Sequence, residues 1–210
     1  MTAAVASMPG GFGYPVRVTF DRNQEINRLW GIPLFGMLAR WFLLVPHFLI
    51  VWVLGVLSGL SVLVTWIPIL VNGRFPGWAM DLYEMTYRWS TRIVAYGLLM
   101  AGPYPPFSSN APYPVDVTID APREINRLWG IPFIGIWVRA LLVIPHVIVL
   151  FFLGIGLWLA LWVVWFPVLV NARFPQLGYD LFGGYLRLSV RLSMWTLLVP
   201  VPYPPISPSE

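Results

Sequence analysis

The two histidines of this chain, His47 and His146, stand 99 residues apart, and each follows a proline. Imidazoles at matched positions in the two halves of a helical protein would hold a haem iron or the magnesium of a chlorophyll-type pigment, one ring on each axial face. The plainer chemistry is a histidine at a membrane interface, bonded to a carboxylate, a carbonyl or a lipid head. The same offset relates the arginines: Arg40 recurs as Arg139, Arg88 as Arg187 and Arg92 as Arg191. A guanidinium grips phosphate or carboxylate through two parallel N–H groups. Arginines four residues apart share one stripe of a helix, which suits an anionic substrate or a lipid headgroup. The alternative, and the expectation here, is an internal charge network with Asp81, Glu84 and Asp180.

Little else in the chain suggests a reaction. It has no Ser-His-Asp order, no phosphate loop, no HExxH and no metal-ligand cluster. With no cysteine there is no disulfide framework and no thiolate metal site. A non-enzymatic role follows. No cofactor is expected unless the two histidines hold haem or pigment. All 13 basic residues are arginine, and no run of them would track a nucleic-acid backbone.

The elements that must position these residues are membrane elements. His47 to Val71 and His146 to Val170 are each 25 residues without a charge. A bilayer core about 30 Å thick needs about 20 apolar residues in a helix. Hydrophobic residues make up 58% of the chain and charged ones 10%, where soluble domains carry about 25% charge. The net charge of +4 is read as a topology signal.

Residues 14–107 align with 113–206 without a gap, and 43 of the 94 pairs are identical. The longest shared block is Glu25 to Pro33, repeated as Glu124 to Pro132. The expected organisation is a flexible tail (1–13), a first membrane repeat (14–107), a linker (108–112), a second repeat (113–206) and a short tail (207–210). Each repeat opens on an alternating segment (Tyr14–Asp21, Tyr113–Asp120) that reads as an edge strand. Arg17 and Asp116 would face each other if the two strands pair. Glu25–Val45 reads as an interfacial helix. A spanning helix follows, with Gly55 and Gly59 as a close-packing face. Asn72-Gly73-Arg74-Phe75-Pro76 is a helix stop. In the second copy, Ala172 replaces the glycine, and Asn171 is expected to take the left-handed position. An amphipathic helix bearing the arginine stripe closes each repeat.

The fold class expected is thus an all-α membrane protein of two tandem repeats with about four crossings. Strand pairing with an even number of crossings per repeat would give both halves one orientation. The excess of arginine near the strands would then place both termini in the cytoplasm.

Asn-Arg-Leu-Trp, Ile-Pro, a lone Arg, Pro-His, a long apolar run, Asn-x-Arg-Phe-Pro, Arg-x-x-x-Arg and Tyr-Pro-Pro occur in that order in each half. The combination resembles a bacterial integral membrane family known as domain of unknown function 4389. The resemblance implies a place in a bacterial plasma membrane and carries no activity, substrate or cofactor. The expected role is an accessory or scaffold subunit of a larger membrane complex, with lipid and other membrane subunits as partners and no nucleic acid. The alternatives are a haem- or pigment-binding electron-transfer subunit through His47 and His146, and a lipid or small-anion transporter through the arginine stripes.

Overall fold

Strand β1 (Val16–Phe20) pairs antiparallel with β2 (Val115–Ile119). Val18 lies opposite Val117, its own counterpart 99 residues on. The ribbon therefore has a local two-fold axis at its centre. Arg17 consequently faces Thr118, and Asp116 faces Thr19. This corrects the expected facing of Arg17 and Asp116: the two residues sit one step to either side of the axis and are diagonal rather than opposite. Arg17 instead lies 3.8 Å from Asp120, and Asp116 turns to arginines of a helix.

The computed structural model describes residues 14–131 and 134–206. The tails expected at 1–13 and 207–210 lie outside the described residues. Among the described residues, three helices lie between the strands, α1 (Phe35–Leu43), α2 (Val45–Asn72) and α3 (Gly77–Gly97), and two follow β2, α4 (Ile134–Asn171) and α5 (Gln176–Thr196). A 3-10 turn precedes the helices of each half, Arg28–Gly31 and Arg127–Gly130. Its N-cap is an asparagine: Asn27 accepts from Leu29 N and Asn126 from Leu128 N, both at 3.0 Å.

The helix expected over Glu25–Val45 is broken. Pro33 has no N–H to continue the turn, and Leu34 adopts φ 60°, so only Phe35–Leu43 is α-helical. In the second half the corresponding stretch merges with the long helix into the 38 residues of α4. The break at Leu44 has no counterpart there.

Two helices, α2 and α4, are long and apolar enough to cross a bilayer. At 1.5 Å per residue the 28 residues of α2 reach about 42 Å. Helices α3 and α5, expected to supply the return crossings, fall short of that test among the described residues. Their buried faces set arginines among apolar side chains, Arg92 beside Ile93 and Tyr96 on α3 and Arg187 and Arg191 beside Leu188, Val190 and Met194 on α5. The contact face of α2 is itself polar: Ser58 bonds Thr86 at 3.0 Å, and Ser61 bonds Tyr83 at 2.7 Å. Its remaining surface is open and apolar, with Leu49, Trp52, Val53, Leu60 and Leu63 exposed. Gly55 and Gly59 belong to that open side, where a Cβ placed on either meets no other part of the fold within 4 Å among the described residues. The close-packing face expected there has no partner among those residues.

The halves are joined end to start, in both senses. Ile125 N donates to Gly73 O at 3.0 Å, and Ile26 N donates to Ala172 O at 2.8 Å. Gly130 packs on the backbone at Leu70, and Gly31 on the backbone at Leu169, so closely that a Cβ on either glycine would collide. The end of α2 thus meets the segment that leads into α4, and the end of α4 meets the segment that leads into α1. Two long helices joined this way run in opposite directions. The expectation of one orientation for both halves is overturned. It rested on crossing parity, whereas these long-range joints set the direction. Tyr14 Oη donates to Pro202 O at 2.8 Å, so the two ends of the described chain lie together. Tyr113 Oη donates to Pro103 O at 3.0 Å, which closes the link between the halves.

The left-handed cap after α2 is Gly73 (φ 64°), and after α4 it is Ala172 (φ 55°) rather than Asn171. The Ile26–Ala172 bond fixes Ala172 in place. Helices α3 and α5 end on buried leucines in the same region, Leu99 (φ 65°) and Leu198 (φ 66°). The backbone closes behind them by Met100 N to Ala95 O (2.8 Å) and Val199 N to Met194 O (3.1 Å), a Schellman pattern. Leucine is unfavourable in that conformation. Complete burial of both side chains holds it there.

Candidate functional site

The arginine stripes face inward onto the ribbon. Arg88 Nε donates to Val117 O at 3.1 Å, and Arg92 Nε to Val115 O at 3.2 Å. Across the axis, Arg187 Nε donates to Val18 O at 3.2 Å, and Arg191 Nε to Val16 O at 3.4 Å. A two-stranded ribbon leaves the carbonyls of both outer edges unpaired. Here each edge is held by the stripe of a helix from the opposite half or its neighbour in sequence. The spacing explains the fit. Residues four apart on a helix rise about 6 Å, and same-edge carbonyls two residues apart on a strand lie about 6.6 Å apart.

Around α3 the charges close into a network. Arg88 pairs with Glu84 one turn back, and its Nε lies 2.7 Å from Asp116 Oδ1. Arg92 Nη2 reaches the same oxygen at 3.2 Å, and its Nη1 donates to Ser108 O at 3.2 Å. Asp81 is exposed and stands outside this network. Asp180 is also exposed and pairs with Arg22 at 2.8 Å. In the second half, Gly183 stands where the first has Glu84. There Arg187 and Arg191 lie over the rings of Phe20 and Tyr14, at 5.4 and 5.2 Å. Asp116 is the residue that sequence reasoning missed as the hub. It appeared only as a partner for Arg17.

Arg40 and Arg139 are buried, and neither forms an ion pair with a carboxylate among the described residues. Arg40 Nη1 donates to Tyr96 O (2.8 Å) and Ala101 O (2.6 Å). Arg139 Nη1 donates to Trp195 O and, at 3.4 Å, to Val199 O. These are the last carbonyls of α3 and α5 and of the turns that follow, where the helix dipole is negative. Each guanidinium also stacks over tryptophan from the 3-10 turn, Arg40 at 5.0 Å from Trp30 and Arg139 at 4.6 Å from Trp129. Burial pushes the Arg40 guanidinium down to about 10, so it stays charged at neutral pH.

The histidines are fully buried, each in its own half. His47 Nε2 lies 3.0 Å from Pro105 O, and His146 Nε2 lies 2.9 Å from Pro204 O. Both acceptors belong to the Tyr-Pro-Pro segments. Tyr203 Oη closes on His146 Nδ1 at 3.1 Å, while Phe107 stands edge-on to His47 at 4.1 Å. With Nε2 donating to a carbonyl, each neutral ring keeps its lone pair on Nδ1, which meets Tyr203 Oη in His146 and has no hydrogen-bond partner among the described residues in His47. No ring contact or hydrogen bond joins His47 to His146 among the described residues. The pair is placed as two separate clasps, each fastening a C-terminal segment to the start of a long helix.

The family model of a domain of unknown function (DUF4389) matches residues 36–109. The matched span runs from α1 through α3 to the Tyr104-Pro105-Pro106 segment. It takes in Arg40 with its acceptors Tyr96 O and Ala101 O, His47 with Pro105 O, and Arg88 and Arg92, whose strand acceptors Val117 O and Val115 O lie beyond it. The match is to one copy. Comparison with curated proteins and with solved structures yields no match.

Proposed function

We propose that the chain is a non-enzymatic, multi-pass protein of the bacterial plasma membrane that acts as an accessory or scaffold subunit of a larger membrane assembly. In this reading it is built from two tandem copies of one family unit. One observation carries it. The arginines and histidines singled out in the sequence each hold backbone among the described residues, while the apolar outer faces of α2 and α4 are left open along their length. The arginine stripes bond strand edges, Arg40 and Arg139 bond helix ends, and the histidines bond Tyr-Pro-Pro carbonyls. Exposed apolar surface on this scale marks lipid or protein contact.

The meeting of Tyr14 with Pro202 supports a shared side for the two termini. Three arginines gather at each end of the long helices, Arg74, Arg123 and Arg127 at one and Arg22, Arg28 and Arg173 at the other. That balance removes the charge bias on which a cytoplasmic assignment rested. The test of the scaffold role is extraction from native membranes in mild detergent, followed by native mass measurement. A complex heavier than the chain is expected. A lone monomer that carries no other subunit would sink the proposal.

A further inference from the structure

A cleft of about 740 Å³ opens at the end of α2, between the loop 72–77 and the segment 123–127. Arg74, Arg123 and Arg127 line it together with Glu124, three positive charges against one negative. Arg74 and Glu124 form a loose pair at 3.8 Å, each about 70% exposed. Arg123 and Arg127 have no carboxylate within ion-pair distance among the described residues. Two glycines make room for them. A Cβ at Gly77 would sit 2.8 Å from the Arg123 guanidinium, and a Cβ at Gly73 would sit 3.3 Å from Arg127 Nε. The wall below is apolar: Pro68 and Val71 line the cleft, and Leu63, Val64 and Ile67 continue the exposed surface down α2. The related cleft at the end of α4 is the weaker one. It has Ala172 and Gln176 in place of the glycines. Its Arg22 is already paired with Asp180.

We propose that the 72–77/123–127 cleft binds the phosphate headgroup of an anionic phospholipid, whose acyl chains lie along the open face of α2. Planar guanidinium groups suit phosphate oxygens, and basic pockets beside membrane helices are suited to acidic lipid heads. The proposal rests on the membrane placement of α2 and is independent of the scaffold role.

The experiment is native mass spectrometry of the full chain in detergent, with phosphatidylglycerol or phosphatidylcholine added in parallel. Retention of phosphatidylglycerol should exceed that of phosphatidylcholine. Arg123→Gln with Arg127→Gln should lower it about tenfold or more, the loss of roughly one charge-assisted contact. Arg123→Lys with Arg127→Lys should keep most of it, which separates lost charge from lost fold. Equal retention of the two lipids, or no effect of the glutamine pair, overturns the site. Displacement by soluble glycerol phosphate at matched concentration overturns the lipid as the source of the phosphate. Failure of the membrane placement would show differently, as release of the chain from membranes by alkaline carbonate.

Discussion

Replacing Arg92 by leucine separates a structural stripe from a ligand-binding one. Arg92 is buried and holds three acceptors at 3.2 Å: Val115 O, Ser108 O and Asp116 Oδ1. A hydrogen bond from a charged donor contributes about 1.5–3 kcal/mol, and an abandoned buried carbonyl costs about 1–3 kcal/mol. These bonds are long, which favours the lower end. The Asp116 contact is discounted further, because that carboxylate is 38% exposed and keeps Arg88 at 2.7 Å. Leucine also spares the desolvation of a guanidinium. The balance is a loss of about 2–4 kcal/mol, or an apparent melting shift of about 5–15 °C for a chain of this size. Fluorescence-detected size exclusion after heating would read it in detergent. Arg74→Leu is the control, since its pair with Glu124 is exposed, and surface pairs contribute little. Arg92→Lys should recover part of the loss, because one ammonium cannot span acceptors that the fork reaches in three directions. Unchanged stability in Arg92→Leu would refute the reasoning and return the stripe to the role of anion site.

Gly130→Ala should be poorly tolerated: its Cβ would meet the backbone at Leu70, and overpacking of this kind costs about 1–3 kcal/mol. Lowered heat stability in the same detergent assay would show it, and Gly59→Ala, facing open space, should leave stability unchanged. His47→Phe should remove one bond to Pro105 O, about 1 kcal/mol, and leave the visible absorbance spectrum of the purified protein unchanged. A band lost in that variant would restore the cofactor reading. The chain has no cysteine, so Ser7→Cys and Asn110→Cys each give a single label site. If α2 and α4 cross the bilayer antiparallel, the two sites react from opposite faces of intact cells, and reaction from the same face would remove that arrangement.

The strands, the two long apolar helices and the stops after them were legible because their signals are local: alternation, an absence of charge, and Asn, Gly and Pro in a row. Three features were not. The break at Leu34 follows from Pro33 within an otherwise helical stretch. The opposed directions of α2 and α4 depend on Ile125–Gly73 and Ile26–Ala172, joints between residues far apart in sequence that bond through backbone atoms. The partners of the arginines were hidden for the same reason. Carbonyl acceptors carry no residue identity, so a search for carboxylates found Asp81 and Asp180, which stand outside, and passed over the strand edges. The match between a four-residue helical step and a two-residue strand step was the one available clue.

The crossed joints have a consequence for a severed chain. Cut between Ser109 and Asn110, the first fragment keeps β1 but loses the turn at Arg127–Gly130 that docks on the end of α2, and the second keeps Arg187 and Arg191 but loses the strand they hold. Neither piece can complete itself, yet each carries what the other lacks. Co-expressed, the fragments should reassemble spontaneously, and split reporters fused at the cut would register the reunion.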